Sequence, residues 1–173
     1  SARSEIIREM SGTRNVVMIL PGEIDSLKDE FLIIGAHFDH LGMGGTGSSS
    51  RTPDTIAVHY GADDNASGIG AMLELAEKFA LTPGSHPRSI VCIAFSGEEK
   101  GLLGSKYFTE NPLIDLAEIN AMINLDMLGR LQETNILQVS GAGTATRMKG
   151  IINSINDSSI LELTVSDEGY GPS

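Results

Sequence analysis

The sequence has little cysteine, few positive charges and no long apolar run, and each shortage removes a class of protein. Cys92 is the only cysteine in 173 residues, which excludes a disulfide framework and argues against a thiolate zinc site. It lies in Val91-Cys92-Ile93-Ala94-Phe95, an apolar run that predicts a buried strand with an inert core thiol. Only 12 Lys and Arg stand against 23 Asp and Glu, a formal net charge of −11. A surface of that sign repels nucleic acid and anionic membrane, so neither is expected as a partner. No stretch is long and apolar enough to span a bilayer. No signal-peptide pattern opens the chain, which leaves the compartment open. What is present is 40% hydrophobic content, in a length that suits one domain over 1–173 with a real core.

Apolar runs and turn signals lay out the elements. Asn15 to Leu20 is a short β-rich run closed by Pro21-Gly22. Phe31 to Ala36 and Ser89 to Phe95 are continuously apolar, as expected of strands covered on both faces. Ala121–Leu125 and Ile136–Val139 extend the set. Ile69, Met72, Leu73, Ala76, Phe79 and Ala80 recur at helical spacing from Ser67 to Ala80, with Asn65 or Ser67 placed to cap the start. Further helices are expected from about Gly101 to Phe108 and from Thr144 to Ile155. Between Gly42 and Pro53 the chain turns to Gly, Ser and Thr without a period, which predicts a flexible surface loop. Strands alternating with helices imply an α/β fold, a layered sandwich with a mostly parallel central sheet flanked by helices.

The chemistry-bearing residues fall at the strand ends. His37-Phe38-Asp39, Asp63-Asp64-Asn65, Glu98-Glu99 and Asp126 each sit where an apolar run gives way to Gly, Asn or Ser. In open α/β sheets ligands bind beyond the carboxyl ends of the strands, so these clusters are expected to meet at one edge. One His among several carboxylates suits a pair of divalent cations. His37 offers an imidazole nitrogen, and Asp39 is placed to accept a hydrogen bond from its other nitrogen. Asp64 or Asp63 could bridge two metals. Cations about 3.5–4 Å apart share a water, lower its pKa and polarise a substrate carbonyl. Glu98 and Glu99, read as neighbours on an extended stretch, point apart, so one can bind metal while the other takes a proton.

These stretches resemble the co-catalytic zinc aminopeptidases, clan MH metallopeptidases of the bacterial leucyl-aminopeptidase type. The matching motifs are G-A-H-F-D-H-L-G (Gly35–Gly42), G-A-D-D-N-A-S-G (Gly61–Gly68), F-S-G-E-E-K-G-L-L-G-S (Phe95–Ser105) and N-L-D-M-L-G-R (Asn124–Arg130). The resemblance implies two zinc ions, with His37 and Asp126 on the first, Asp64 as the bridge and Glu99 on the second. It implies Glu98 as general base, Asp39 as the partner of His37, and peptide or protein N-termini as substrate. Family habit points to an exported protein. In the family, a stretch like Gly171–Ser173 runs into Asp-His, and that His completes the second metal site. The sequence stops before it, so the expectation is a domain lacking the last part of the family fold and a second site short of one ligand.

Two other readings stand beside this one. A glutaminyl-cyclase-like single-zinc enzyme would share the fold and a similar Glu-Glu stretch, though Asp-Asp-Asn-Ala-Ser-Gly favours the peptidase. A peptidase-like binding module would usually have lost metal ligands. His40 and His59 flank the key clusters without an implied ligand role, His86 in its Pro-bounded loop is expected to be solvated, and Arg130 is expected to pair with a nearby carboxylate.

Overall fold

The computed structural model describes residues 11–131 and 135–168, so the Gly171–Ser173 stretch lies outside the described residues. Strands β1 (Val16–Leu20), β2 (Phe31–His37), β3 (Ser89–Phe95) and β4 (Ile119–Asn124) form one sheet in the order β1-β3-β2-β4. β2 runs parallel to both β3 and β4, and β1 pairs antiparallel with β3 on the outer side. Helix α1 (Gly68–Leu81) links the β2 region to β3, and α2 (Leu103–Glu110) follows β3.

Alternate side chains of a strand point to opposite faces, and both faces of β2 and β3 are covered. Ile34, Ala36, Ile90 and Cys92 pack with Met72 and Ala76 of α1. Ile33, Val91, Ile93 and Phe95 pack with Phe108 of α2, whose ring meets Phe95 edge to face. Two-sided burial is why these strands are apolar at every position rather than at every second one. Each Ile, Val, Phe or Met among them, fully buried, stabilises the fold by roughly 1.5–3 kcal/mol. Cys92 belongs to this core, and burial pushes its thiol above the ordinary range. No helix among the described residues is long and apolar enough to cross a membrane.

The fifth strand departs from expectation. β5 (Ile136–Val139) does not join the central sheet but pairs in parallel with β6 (Glu162–Val165), with α3 (Met148–Asn156) between them. Two four-residue strands with half-buried alternation carry too little apolar signal to show which sheet they serve.

One loop also differs from the sequence reading, and another gains contacts. The 42–53 segment is a surface loop in which Gly44 bridges Ile56 and Ser48 Oγ donates to the Gly45 carbonyl. Ser49 Oγ donates to the carbonyl of Glu99 at 2.6 Å, which fastens the loop to the Glu-Glu turn. His86 is buried rather than solvated. Its backbone N–H donates to Glu23, whose carboxylate also accepts from the Gly84 N–H, and its ring lies edge-on to Phe79. Those backbone donors hold the Glu23 carboxyl below its ordinary pKa.

The Glu-Glu turn depends on a close approach behind it. Gly104, in α2, lies so near the Ser96 backbone and the Asn15 side chain that an added Cβ would overlap both. Asn15 Nδ2 donates to the Gly104 carbonyl and its Oδ1 accepts from Ser96 N–H, locking β1 and α2 together at this spot. Gly104→Ala is therefore expected to destabilise the domain by about 1–3 kcal/mol through overpacking. A denaturant midpoint unchanged from the parent protein would contradict this packing.

Candidate metal centre

The register of the sheet brings the predicted residues together. His37, the last residue of β2, stands beside Phe95 at the end of β3, and Gly35 stands beside Asn124 at the end of β4. Three parallel strands thus finish at one edge, with Glu98 and Glu99 just past β3 and Asp126 just past β4. Asp64 comes from the helical turn Ala62–Ser67 that leads into α1, and its peptide bond to Asn65 is cis.

Asn65 is the fastener of this edge. Its side chain is buried, with Nδ2 donating to the Leu125 carbonyl and Oδ1 accepting from the N–H groups of Gly68 and Met127. One amide therefore caps the first residue of α1 and holds the Asp126 loop against the Asp64 turn. Asp63 points the other way. Its carboxylate accepts from Gly129 N–H at 2.7 Å and pairs with Arg130 at 3.1 Å, the partner foreseen for that arginine. Of the two adjacent aspartates, Asp64 alone joins the groups of His and carboxylate donors.

Asp64 turns its two oxygens to two groups of ligands. Oδ1 lies 3.2 Å from His37 Nε2, which is 3.7 Å from Asp126 Oδ1. Oδ2 lies 3.7 Å from His40 Nδ1, which is 2.8 Å from Glu99 Oε1. Within each group, His37–Asp64–Asp126 and His40–Asp64–Glu99, the donor atoms lie within 4.8 Å of one another. The structure thus gathers His37, Asp64, Glu99 and Asp126, and adds His40, which sequence reasoning had left outside. The signal available for His40 was its place three residues after His37 on the same strand-end loop.

Two expectations about supporting residues change. His37 Nδ1 lies 3.1 Å from the backbone carbonyl of Asp39 and 3.9 Å from its carboxylate. A carbonyl only accepts, so this contact puts the proton on Nδ1 and leaves the Nε2 lone pair facing Asp64 and Asp126. The Asp39 carboxylate instead accepts the backbone N–H groups of Glu98 and Glu99, at 3.1 and 3.3 Å. It positions the Glu-Glu turn rather than the imidazole. That turn is itself not extended: Glu98–Lys100 form a tight helical turn between Gly97 and Gly101, both at positive φ. A helical turn rotates successive side chains around its axis, and only Glu99 joins a group of donors.

Burial is the main force raising the Glu98 carboxyl pKa. The charges of Glu99, Asp126 and Asp39 push it the same way, and His37 pulls against them. Glu98 belongs to neither group of donors, though charges from both act on it. An open cleft of ≈ 430 Å³ is bordered by His40, Tyr60, Asp63, Asp64, Met127 and Arg130.

The donor set fits divalent cations. His40 Nδ1, Glu99 Oε1 and Asp126 Oδ1 are buried atoms with no hydrogen-bond partner among the described residues. Orphaned polar atoms inside a protein are costly, and cations held in the two groups would satisfy them.

Comparison with known proteins agrees with this chemistry. The sequence profile described as peptidase family M28 matches residues 15–172. A probable zinc metalloprotease of Pyrenophora tritici-repentis is 37% identical over 115 residues, covering 66% of this chain and 24% of that protein. Leucine aminopeptidase 1 of Phaeosphaeria nodorum is 30% identical over 127 residues, covering 71% of this chain and 30% of that one. In three dimensions the zinc aminopeptidase BSAP from Bacillus subtilis superposes with a TM-score of 0.67 at 26% identity, over 92% of this chain and 35% of its own. The chain spans about a quarter to a third of the length of these relatives.

Proposed function

Since the chain belongs to peptidase family M28, we propose that it carries the zinc-binding and catalytic centre of an aminopeptidase that hydrolyses N-terminal peptide bonds. The observation that carries this reading is Asp64, one carboxylate whose two oxygens face two separate groups of His and carboxylate donors. Two ions fit that arrangement. His37, Asp64 and Asp126 would hold one zinc, and Asp64 and Glu99 would serve the other. Zinc bound there supplies Lewis acidity, lowering the pKa of a water and polarising a carbonyl.

The remaining steps belong to the chain. Glu98, free of both groups yet within reach of their charges, takes a proton from the attacking water as its oxygen bonds to the scissile carbonyl carbon. The same carboxyl then returns the proton to the amine nitrogen as the C–N bond breaks. Asp39 holds Glu98 in place through the backbone N–H it accepts. The net negative pocket favours a protonated α-amine, which suits a substrate entering by its N-terminus.

Hydrolysis of leucine p-nitroanilide in added zinc tests the reading, on residues 1–173 and on a longer chain that contains them. Zinc-dependent release of p-nitroaniline by either supports it. Zinc uptake without cleavage by either, with conversion of N-terminal glutamine to pyroglutamate, would replace it with the cyclase reading.

A further inference from the structure

We infer that Asn15 is a positioning residue of the reaction, setting Glu98 in place by clamping both ends of the loop that carries it. This rests on Glu98 as the base of the proposed aminopeptidase and adds what holds that base from behind.

The clamp is one side-chain amide. Its Oδ1 accepts the Ser96 N–H at 3.1 Å, and its Nδ2 donates to the Gly104 carbonyl at 2.8 Å. Between those two partners runs the loop with Glu98 and Glu99, from the exit of β3 to the first turn of α2. Val16 pairs with Ala94 in the antiparallel ladder of β1 and β3, so Asn15 stands where that backbone pairing ends. A side-chain amide carries both donor and acceptor, as a peptide group does, and here it extends the ladder to the loop.

The spot is built for a close fit. Ser96 is buried, and its hydroxyl meets Thr13 Oγ1, a second tether from the same segment. Gly104 has no room for a Cβ, which would overlap the Asn15 amide and the Ser96 backbone. Only a glycine lets α2 come down onto the clamp.

Asp39 is the counterpart of Asn15. It accepts the N–H groups of Glu98 and Glu99, whereas Asn15 holds the loop at Ser96 and Gly104. β3 lies between β1 and β2, so the two residues reach its exit loop from its two neighbours. The bonds inside the loop, Glu98 carbonyl to the Gly101 and Leu102 N–H groups and Gly97 carbonyl to Leu103 N–H, shape the turn. Asn15 and Asp39 fix that turn against the domain. Such fixing matters because a reacting group must be held within about 0.5 Å of its productive place.

Asn15→Asp tests the inference, since it keeps the size of the side chain and an acceptor for Ser96 but has no donor for Gly104. Thr13→Val adds no charge and changes an exposed residue, so it decides the matter if Asn15→Asp does not fold. The first measurement is residue-resolved amide exchange on residues 1–173, which needs neither zinc nor turnover. In Asn15→Asp, exchange at Glu98 and Glu99 should quicken about tenfold, what one net hydrogen bond supplies, while the interiors of β3 and α2 keep their rates. Thr13→Val should show the same pattern more weakly. A residue serving only the fold would raise exchange evenly across the domain. That even rise, or unchanged rates at Glu98 and Glu99, would overturn the inference.

The second measurement is hydrolysis of leucine p-nitroanilide in added zinc. Asn15→Asp should lower kcat about 10²-fold, the cost of a misplaced group, with KM and zinc stoichiometry kept. A folded variant with the parent's kcat would sink the inference and leave the aminopeptidase reading standing. A parent that cleaves nothing, short or long, would overturn that reading and the inference with it.

Discussion

Asp64→Asn is expected to strip metal from both sites at once. The substitution keeps the shape of the side chain and removes its charge and one of its two acceptor oxygens. Those oxygens face different partners, His37 Nε2 at 3.2 Å and His40 Nδ1 at 3.7 Å, so neither group can be spared. The expected loss in zinc affinity exceeds about 100-fold at each, beyond the 10–100-fold that changes outside the ligand shell cost. The fold should survive, because Asn65 rather than Asp64 ties the turn to α1 and to the Asp126 loop. Circular dichroism and zinc content measured together check this. Metal content equal to that of the parent chain would remove Asp64 as the bridge.

Glu98→Gln is expected to separate binding from turnover. Glu98 stands outside both donor groups, so its amide should leave zinc stoichiometry unchanged. It stands close enough to them for burial and the Glu99, Asp126 and Asp39 charges to raise its pKa, and an amide cannot take up the proton. The kcat for leucine p-nitroanilide should fall about 10²–10⁴-fold, the range that general acid–base catalysis supplies. Loss of zinc from this variant would mean that Glu98 is a ligand, and that the roles of the two glutamates are exchanged.

The two predictions lean on different kinds of information. That Asp64, Glu98 and Asp126 would gather at one edge was legible in sequence, because Glu98 and Asp126 follow apolar runs and Asp64 stands at the entrance to the helix that starts near Ser67. β2 and β3 lie almost where the runs place them, and α1 follows its helical period from Gly68 to Leu81. The weaker elements were less legible. β4 begins two residues before the run that announced it and sits at an edge with Met122 and Ile123 exposed. β6 was not foreseen, since four half-buried residues scarcely differ from a loop.

Roles within the site were harder still. The Glu98–Glu99 stretch looks extended from its neighbours, yet Gly97 and Gly101 at positive φ coil it into a turn. Asp39 is two residues from His37, yet its carboxylate spans to the backbone of Glu98 and Glu99, about 60 positions away in sequence. Asp63 and Asp64 are equivalent as letters, and only the Gly129 and Arg130 contacts draw Asp63 out of the centre.

The sequence by itself determined the layered α/β fold, the edge where the carboxylates gather and the kind of cation they would hold. Those follow from local patterns: apolar runs, turn residues and the chemistry of each side chain. Tertiary structure decided which oxygen faces which nitrogen, and it alone brought His40 in. That imidazole reaches Glu99 because Gly61 and His59 close over it, contacts between segments whose distance in space no local pattern encodes.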